Sequence, residues 1–271
     1  MSENDRVRSL LKRLSLHTMA QIFEEEAIKA SKTDMSYTAF LARLADEEVA
    51  AKIDRSVNAR IHKARLPMLR TLEAFDFTFQ PSLSPNRIRE LAELAFLQRA
   101  ENILLVGNPG VGKTHLSLAL ALRACQARKR VLFFHTMDLL DDLLAADLSH
   151  GLRKRIEILG RLDLLVIDEL GYLSMDARRA NLFFQLVNHM YTRASIVLTT
   201  NVPFEAWGKV FGDDVIASAI LDRLLHHSHV FPITGPSYRM KGKLAQSLTR
   251  LRSLLATRKS VLVTVIRRFL G

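Results

Sequence analysis

Ile103-Leu104-Leu105-Val106 runs directly into Gly107-Asn108-Pro109-Gly110-Val111-Gly112-Lys113-Thr114, and this junction decides how the chain is read. The four apolar residues predict a buried strand, the next eight match G-x-x-x-x-G-K-[ST] in full, and residues 115–126 continue as a helix-forming run. In that context the glycines let successive backbone N–H groups turn inward around an anion, while the following helix aims its positive end at the same point. The implied ligand is the phosphate tail of ATP with Mg2+. Lys113 would pair with the β and γ phosphates, and the Thr114 hydroxyl would ligate the metal. Gly107, Asn108, Pro109, Gly110, Val111, Gly112, Lys113 and Thr114, with His115 beside them, are the nucleotide-binding candidates, although helix packing explains His115 equally well.

Downstream, short apolar runs at residues 131–134, 164–167, 196–199 and 229–233 each follow a helix-compatible stretch. Such alternation implies an α/β fold with a mostly parallel sheet covered by helices on both faces. The run Leu164-Leu165-Val166-Ile167 ends in Asp168-Glu169, where parallel sheets place their ligand sites. Asp168 is the second Mg2+ candidate, and Glu169 is placed to orient and deprotonate an attacking water. Ile196-Val197-Leu198-Thr199-Thr200 leads into Asn201. If that strand lies between the other two, Asn201 faces the γ-phosphate; otherwise it is a polar turn closing a strand. Arg223 and Arg239 are candidates for the extra positive charge that phosphoryl transfer needs, and spacing alone leaves each equally readable as a solvated surface arginine.

Upstream, apolar residues from Val7 to Phe23 recur at helical spacing with a break near Leu16. Ser36 is placed to cap a second helix whose Phe40, Leu41, Leu44, Val49, Ile53, Val57 and Ile61 share a face. These predict a small all-α lobe over residues 1–65. Pro67, Pro81 and Pro85 bracket the aromatic run Phe75-Asp76-Phe77-Thr78-Phe79, which reads as the junction between lobes, and a helix over residues 85–98 leads into the first strand.

The 271 residues suffice for one α/β domain and a smaller lobe, and 48% hydrophobic against 25% charged residues places the chain among globular proteins. A formal charge of +11 favours a polyanionic partner, nucleic acid or an anionic membrane surface. Its distribution points to nucleic acid: no Asp or Glu follows Asp222, whereas ten Lys and Arg do. Cys125 is the single cysteine, which excludes an intramolecular disulfide and fits a reducing compartment. The N-terminal residues lack a signal-peptide pattern and no apolar run reaches the roughly 18 residues of a membrane helix, so a cytoplasmic protein is expected. His226, His227 and His229 read as ordinary core or surface histidines, and Trp207, between Phe204 and Phe211, as part of a hydrophobic cluster.

The combination is similar to the AAA+ ATPases of the DnaA/DnaC branch and, more closely, to the IstB-type transposition helpers of insertion sequences. The resemblance is carried by Phe75-Asp76-Phe77, Gln80-Pro81-Ser82-Leu83, Gly110-Val111-Gly112-Lys113-Thr114-His115-Leu116, Asp168-Glu169-Leu170-Gly171-Tyr172-Leu173 and Leu182-Phe183-Phe184-Gln185-Leu186. It continues through Trp207-Gly208-Lys209-Val210-Phe211-Gly212-Asp213, Leu221-Asp222-Arg223-Leu224-Leu225-His226-His227 and Ser237-Tyr238-Arg239. It implies an AAA+ P-loop domain over residues 66–243 with a five-stranded sheet in the order 5-1-4-3-2. It also implies Asn201 as sensor 1, Arg239 as sensor 2, and Arg223 as a finger acting in trans within a homo-oligomer. A helical insertion over residues 138–160 would track DNA, with Arg153, Lys154, Arg155 and Arg161 as phosphate contacts; a solvated helical face is the competing reading. Residues 244–271 have no counterpart in the helpers and form a basic C-terminal tail. The implied function is an ATPase that assembles on duplex DNA, deforms it and recruits a partner transposase. A DnaC-like helicase loader and a small-molecule P-loop kinase are the alternatives.

Overall fold

Five strands form one parallel sheet, β1 (Asn102–Gly107), β2 (Val131–His135), β3 (Leu164–Leu170), β4 (Ser195–Thr200) and β5 (Ser228–Ile233), in the order β2-β3-β4-β1-β5. This is the expected order, and every pairing in it is parallel. The structure, a computed structural model, describes residues 1–241, so the basic tail 244–271 and the end of the 66–243 domain lie outside the described residues.

The period-two alternation of the strands divides the core into two layers. Ile103, Leu105, Val131, Phe133 and Val166 point to one face, where they pack on α4 (Pro85–Leu91), α5 (Ala95–Gln98) and α6 (Lys113–Gln126). Leu104, Phe134, Leu165, Ile167 and Leu198 point to the other. That face is covered by α7 (Thr136–Leu148), α8 (Leu152–Leu159), α9 (Ala177–Met190), α10 (Trp207–Phe211) and α11 (Asp214–His226). Trp207 is fully buried there, with Phe204 and Phe211 at 5.5 and 5.6 Å between ring centroids. Cys125 is buried on the α6 side, and desolvation pushes its thiol up to about 11.

The N-terminal residues form α1 (Glu3–Arg13), α2 (His17–Lys32) and α3 (Tyr37–Lys63), with the expected break at residues 14–16. Ser36 caps α3 by accepting from Ala39 N–H. Met19, Phe23 and Leu44 make a small separate core. Glu48 is buried beside it because its carboxylate accepts the first N–H groups of α2, from Thr18 and Met19, and pairs with Arg55.

Two expectations are corrected. The apolar face assigned to α3 is not packed as a whole: Leu41, Val49 and Ile53 are exposed, because α2 covers the line of Phe40, Leu44 and Glu48 and these three residues lie off it. The single helix over residues 85–98 is two helices, since Leu94 adopts φ +65° and ends the first run. The end of α3 joins the larger domain: Ala64 is fully buried and its carbonyl accepts from Phe133 N–H on the edge strand β2.

Candidate functional site

The C-terminal ends of β1, β3 and β4 converge on one cavity of about 390 Å³, and the loop 107–114 forms its floor. Gly110 (φ +83°) and Gly112 (φ +101°) hold the left-handed conformations that curl this loop around a central point. Neither can carry a side chain. A Cβ on Gly110 would lie 2.0 Å from Ser237 Oγ, and one on Gly112 2.5 Å from the Phe75 ring.

Lys113 opens α6 and folds back over the loop, donating from Nζ to the carbonyls of Gly107 and Asn108 at 2.6 and 2.9 Å. Burial lowers the pKa of its ammonium and Arg239 adds to the shift, while Asp168 and Glu169 oppose it. Two cations, Lys113 and Arg239, thus face the same cavity, where both would attract an anionic group. The Thr114 hydroxyl lies 3.0 Å from both carboxylate oxygens of Asp168. A hydroxyl beside a carboxylate is the hard-oxygen donor pair that Mg2+ takes, so the residues fit that ion.

The β3 register shifts between Ile167 and Leu170, and this bulge separates the fates of two adjacent acids. Asp168 turns inward and is buried, whereas Glu169, at φ +63°, turns out into the cavity with its side chain 54% exposed. Thr199 on β4 fastens both: its hydroxyl donates to Asp168 Oδ1 at 2.5 Å and accepts from Glu169 N–H at 2.9 Å. Because β4 does lie between β1 and β3, Asn201 follows directly at the cavity wall.

Several wall residues belong to segments that sequence reading treated as connectors. Met68, Arg70, Phe75, Asp76 and Gln80 from the supposed junction line the same cavity. His115 Nε2 donates to the Thr71 carbonyl at 2.8 Å and its ring meets Phe75 edge-on, tying this segment to α6. From the other side Tyr238 N–H donates to the Gly110 carbonyl at 2.8 Å, which brings Arg239 to the cavity. Lys241 closes the ring of contacts, pairing with Asp76 at 2.6 Å while lying over Phe79 and Tyr238. That pair and the Thr78 hydroxyl hold the Asp76 carboxyl down at about 2. His135, at the end of β2, places Nδ1 3.9 Å from both Asp168 and Glu169. A polar residue terminating the 131–134 run was the available signal for it.

Other candidates lie elsewhere. Arg223 on α11 is not among the cavity-lining residues. Arg153 and Lys154 are exposed on α8 and Arg161 just after it, Arg153 with a loose 3.3 Å contact to Glu157. Arg155 is engaged: it pairs with Asp142 of α7 at 2.6 Å and is only 23% exposed. His226 bonds the Tyr191 hydroxyl and His229 the Glu101 carboxylate. Among the described residues no helix is long and apolar enough to cross a membrane.

The fold is that of AAA+ P-loop ATPases. The replication initiator DnaA bound to AMPPCP and single-stranded DNA superposes with a TM-score of 0.54 at 22% identity, over 67% of this chain and 56% of that one. Relatives by sequence are closer. The ATP-binding protein of insertion sequence IS21 from Pseudomonas aeruginosa is 45% identical over 234 residues, covering 86% of this chain and 88% of that protein. Its counterpart in insertion sequence IS5376 of Geobacillus stearothermophilus is 41% identical over 242 residues, covering 89% and 96%. Residues 9–246 match the family as a whole, and the chain belongs to the IstB-like ATP binding proteins.

Proposed function

We propose that this chain is an ATP-hydrolysing helper of transposition that assembles on target duplex DNA and recruits a partner transposase. One observation carries the reading: Lys113, the Thr114–Asp168 pair, Glu169, Asn201 and Arg239 surround one cavity floored by a phosphate loop. ATP would lie with its phosphates on the N–H groups of residues 107–114 and its base toward Phe75, His115 and Leu118. Thr114 and Asp168 would hold Mg2+, which when bound neutralises charge on the β and γ phosphates. Lys113 leaves its two carbonyl partners for the phosphates. Glu169 orients a water and accepts its proton as the water attacks, and Asn201 holds that water in line. Arg239 adds positive charge on the γ-phosphate within the subunit, and Arg223 supplies it from a neighbour, so turnover requires an oligomer.

The formal charge of +11 and the exposed Arg153, Lys154 and Arg161 support DNA as the polyanion, with Arg155 bracing α8 against α7 instead of touching phosphate. Relatives named for insertion sequences support transposition as the setting and a transposase as the partner. Residues 1–65 would serve assembly or partner contact. Phosphate contacts without base contacts predict that log K falls by about 0.9 per neutralised phosphate for each tenfold rise in salt, with little sequence preference. The test is a salt titration of duplex binding with ATP and with ADP, with single-stranded competitor alongside. Salt-independent affinity sinks the DNA reading. Preference for the single strand moves the assignment to a helicase loader.

A further inference from the structure

Arg223 is far from idle on its own subunit. Its Nε donates to Asn188 Oδ1 at 2.8 Å, its Nη1 donates to the Ala219 carbonyl at 2.9 Å, and its guanidinium lies over the Phe184 ring at 4.9 Å. Phe184 and Asn188 stand one turn apart on α9, hence on one face of it. Both helices are anchored: Phe183, Leu186 and Val187 of α9 and Ile220 and Leu224 of α11 are buried in the same core. The platform is therefore as rigid as the core beneath it. Of the five N–H donors of a guanidinium, two are used, and the Nη2 group is unengaged among the described residues.

We propose that Phe184 and Asn188 are positioning residues that hold the Arg223 guanidinium in one place between α9 and α11 with Nη2 unengaged, so that it meets a neighbouring subunit's nucleotide already in its working geometry. This rests on the reading of Arg223 as a finger in trans and adds the element that aims it. The physical reason is conformational. A free arginine has many rotamers, and one docking across a subunit boundary must lose them, whereas one stacked on an aromatic ring and fixed at Nε has lost them beforehand. The contacts suit that purpose because they use Nε and Nη1 and leave the two N–H donors of Nη2 for phosphate oxygens. Phe184 and Asn188 touch no substrate, so their effect belongs to kcat and not to nucleotide affinity.

The experiment measures steady-state ATP turnover of the full chain on duplex DNA. Asn188→Ala and Phe184→Leu are expected to lower kcat by about ten- to a hundredfold with KM for ATP changed less than about threefold. Phe184→Tyr, which keeps the ring, recovers most of the loss. Mixing separates aiming from folding. Lys113→Ala subunits have a disabled pocket and an intact platform, so in excess they should restore turnover in the pockets of Asn188→Ala subunits. Wild-type kcat in Asn188→Ala and Phe184→Leu, or no restoration on mixing, overturns the platform. An Arg223→Ala protein that turns over at the wild-type rate overturns the finger itself, and the platform's role with it.

Discussion

The Thr199 hydroxyl donates to Asp168 Oδ1 at 2.5 Å and, on its other side, accepts the N–H of Glu169 at 2.9 Å. One side chain on β4 thus fixes both acids at the end of β3. Thr199→Val keeps the shape and removes both bonds, leaving a buried carboxylate one donor short, at a cost of roughly 1–3 kcal/mol. Denaturant unfolding should register that loss. ATP turnover should fall at least about tenfold as Glu169 loses its backbone tether. Unchanged turnover would show that the β3 bulge alone aims Glu169.

Glu169→Gln tests the base directly. The amide keeps the size of the side chain and cannot take a proton, so turnover should drop about a hundredfold or more while ATP still binds. Held in its ATP state, the protein should also leave duplex DNA more slowly, which a competitor chase will read. Wild-type turnover would remove Glu169 from the mechanism.

Gly112→Ala tests the contact between the phosphate loop and the segment before it. The substitution forces an L-residue into φ +101°, a strain of about 1–2 kcal/mol, and also drives its methyl into the Phe75 ring. ATP affinity, measured by titration with a fluorescent analogue, should weaken at least about tenfold. A second change, Phe75→Leu, should recover part of it. If Gly112→Ala binds ATP normally, Phe75 is not a wall against which the loop is set.

These three tests separate what was legible in the sequence from what was not. The phosphate loop, Asp168 and Glu169 are contiguous motifs at strand ends, so their chemistry shows in the residue string, and the strand order follows from the family resemblance they carry. Thr199 is not legible as a site residue because it lies within a strand and its contact is with a residue 31 positions away. The wall from Met68 to Gln80 read as a connector because prolines and aromatics mark irregular backbone equally well in a linker and in a pocket lining. Arg155 illustrates the opposite case. Its charge was visible, while the Asp142 that engages it sits on another helix. Helical periodicity likewise announced an apolar face on α3 but could not say how far neighbouring helices would cover it.

The Asp76–Lys241 pair bridges the segment before β1 to the element carrying Arg239, and it makes a prediction about pH. Asp76 titrates at about 2 in the folded protein, below its ordinary value, so its contribution is complete above the usual carboxylate range and is lost as pH falls through about 2. Lys241 is raised, so its contribution is complete below the ordinary ammonium range and is lost only as pH rises through the elevated value. The pair should therefore hold unchanged through the neutral range and add no pH dependence to the nucleotide off-rate between about pH 5 and 9. Both side chains face solvent, so Asp76→Asn should speed nucleotide release by no more than about fivefold, less in high salt. Stopped-flow displacement of a fluorescent nucleotide checks both statements. Release that accelerates near pH 6 in the wild type and equally in Asp76→Asn would assign the closure of this wall to another group.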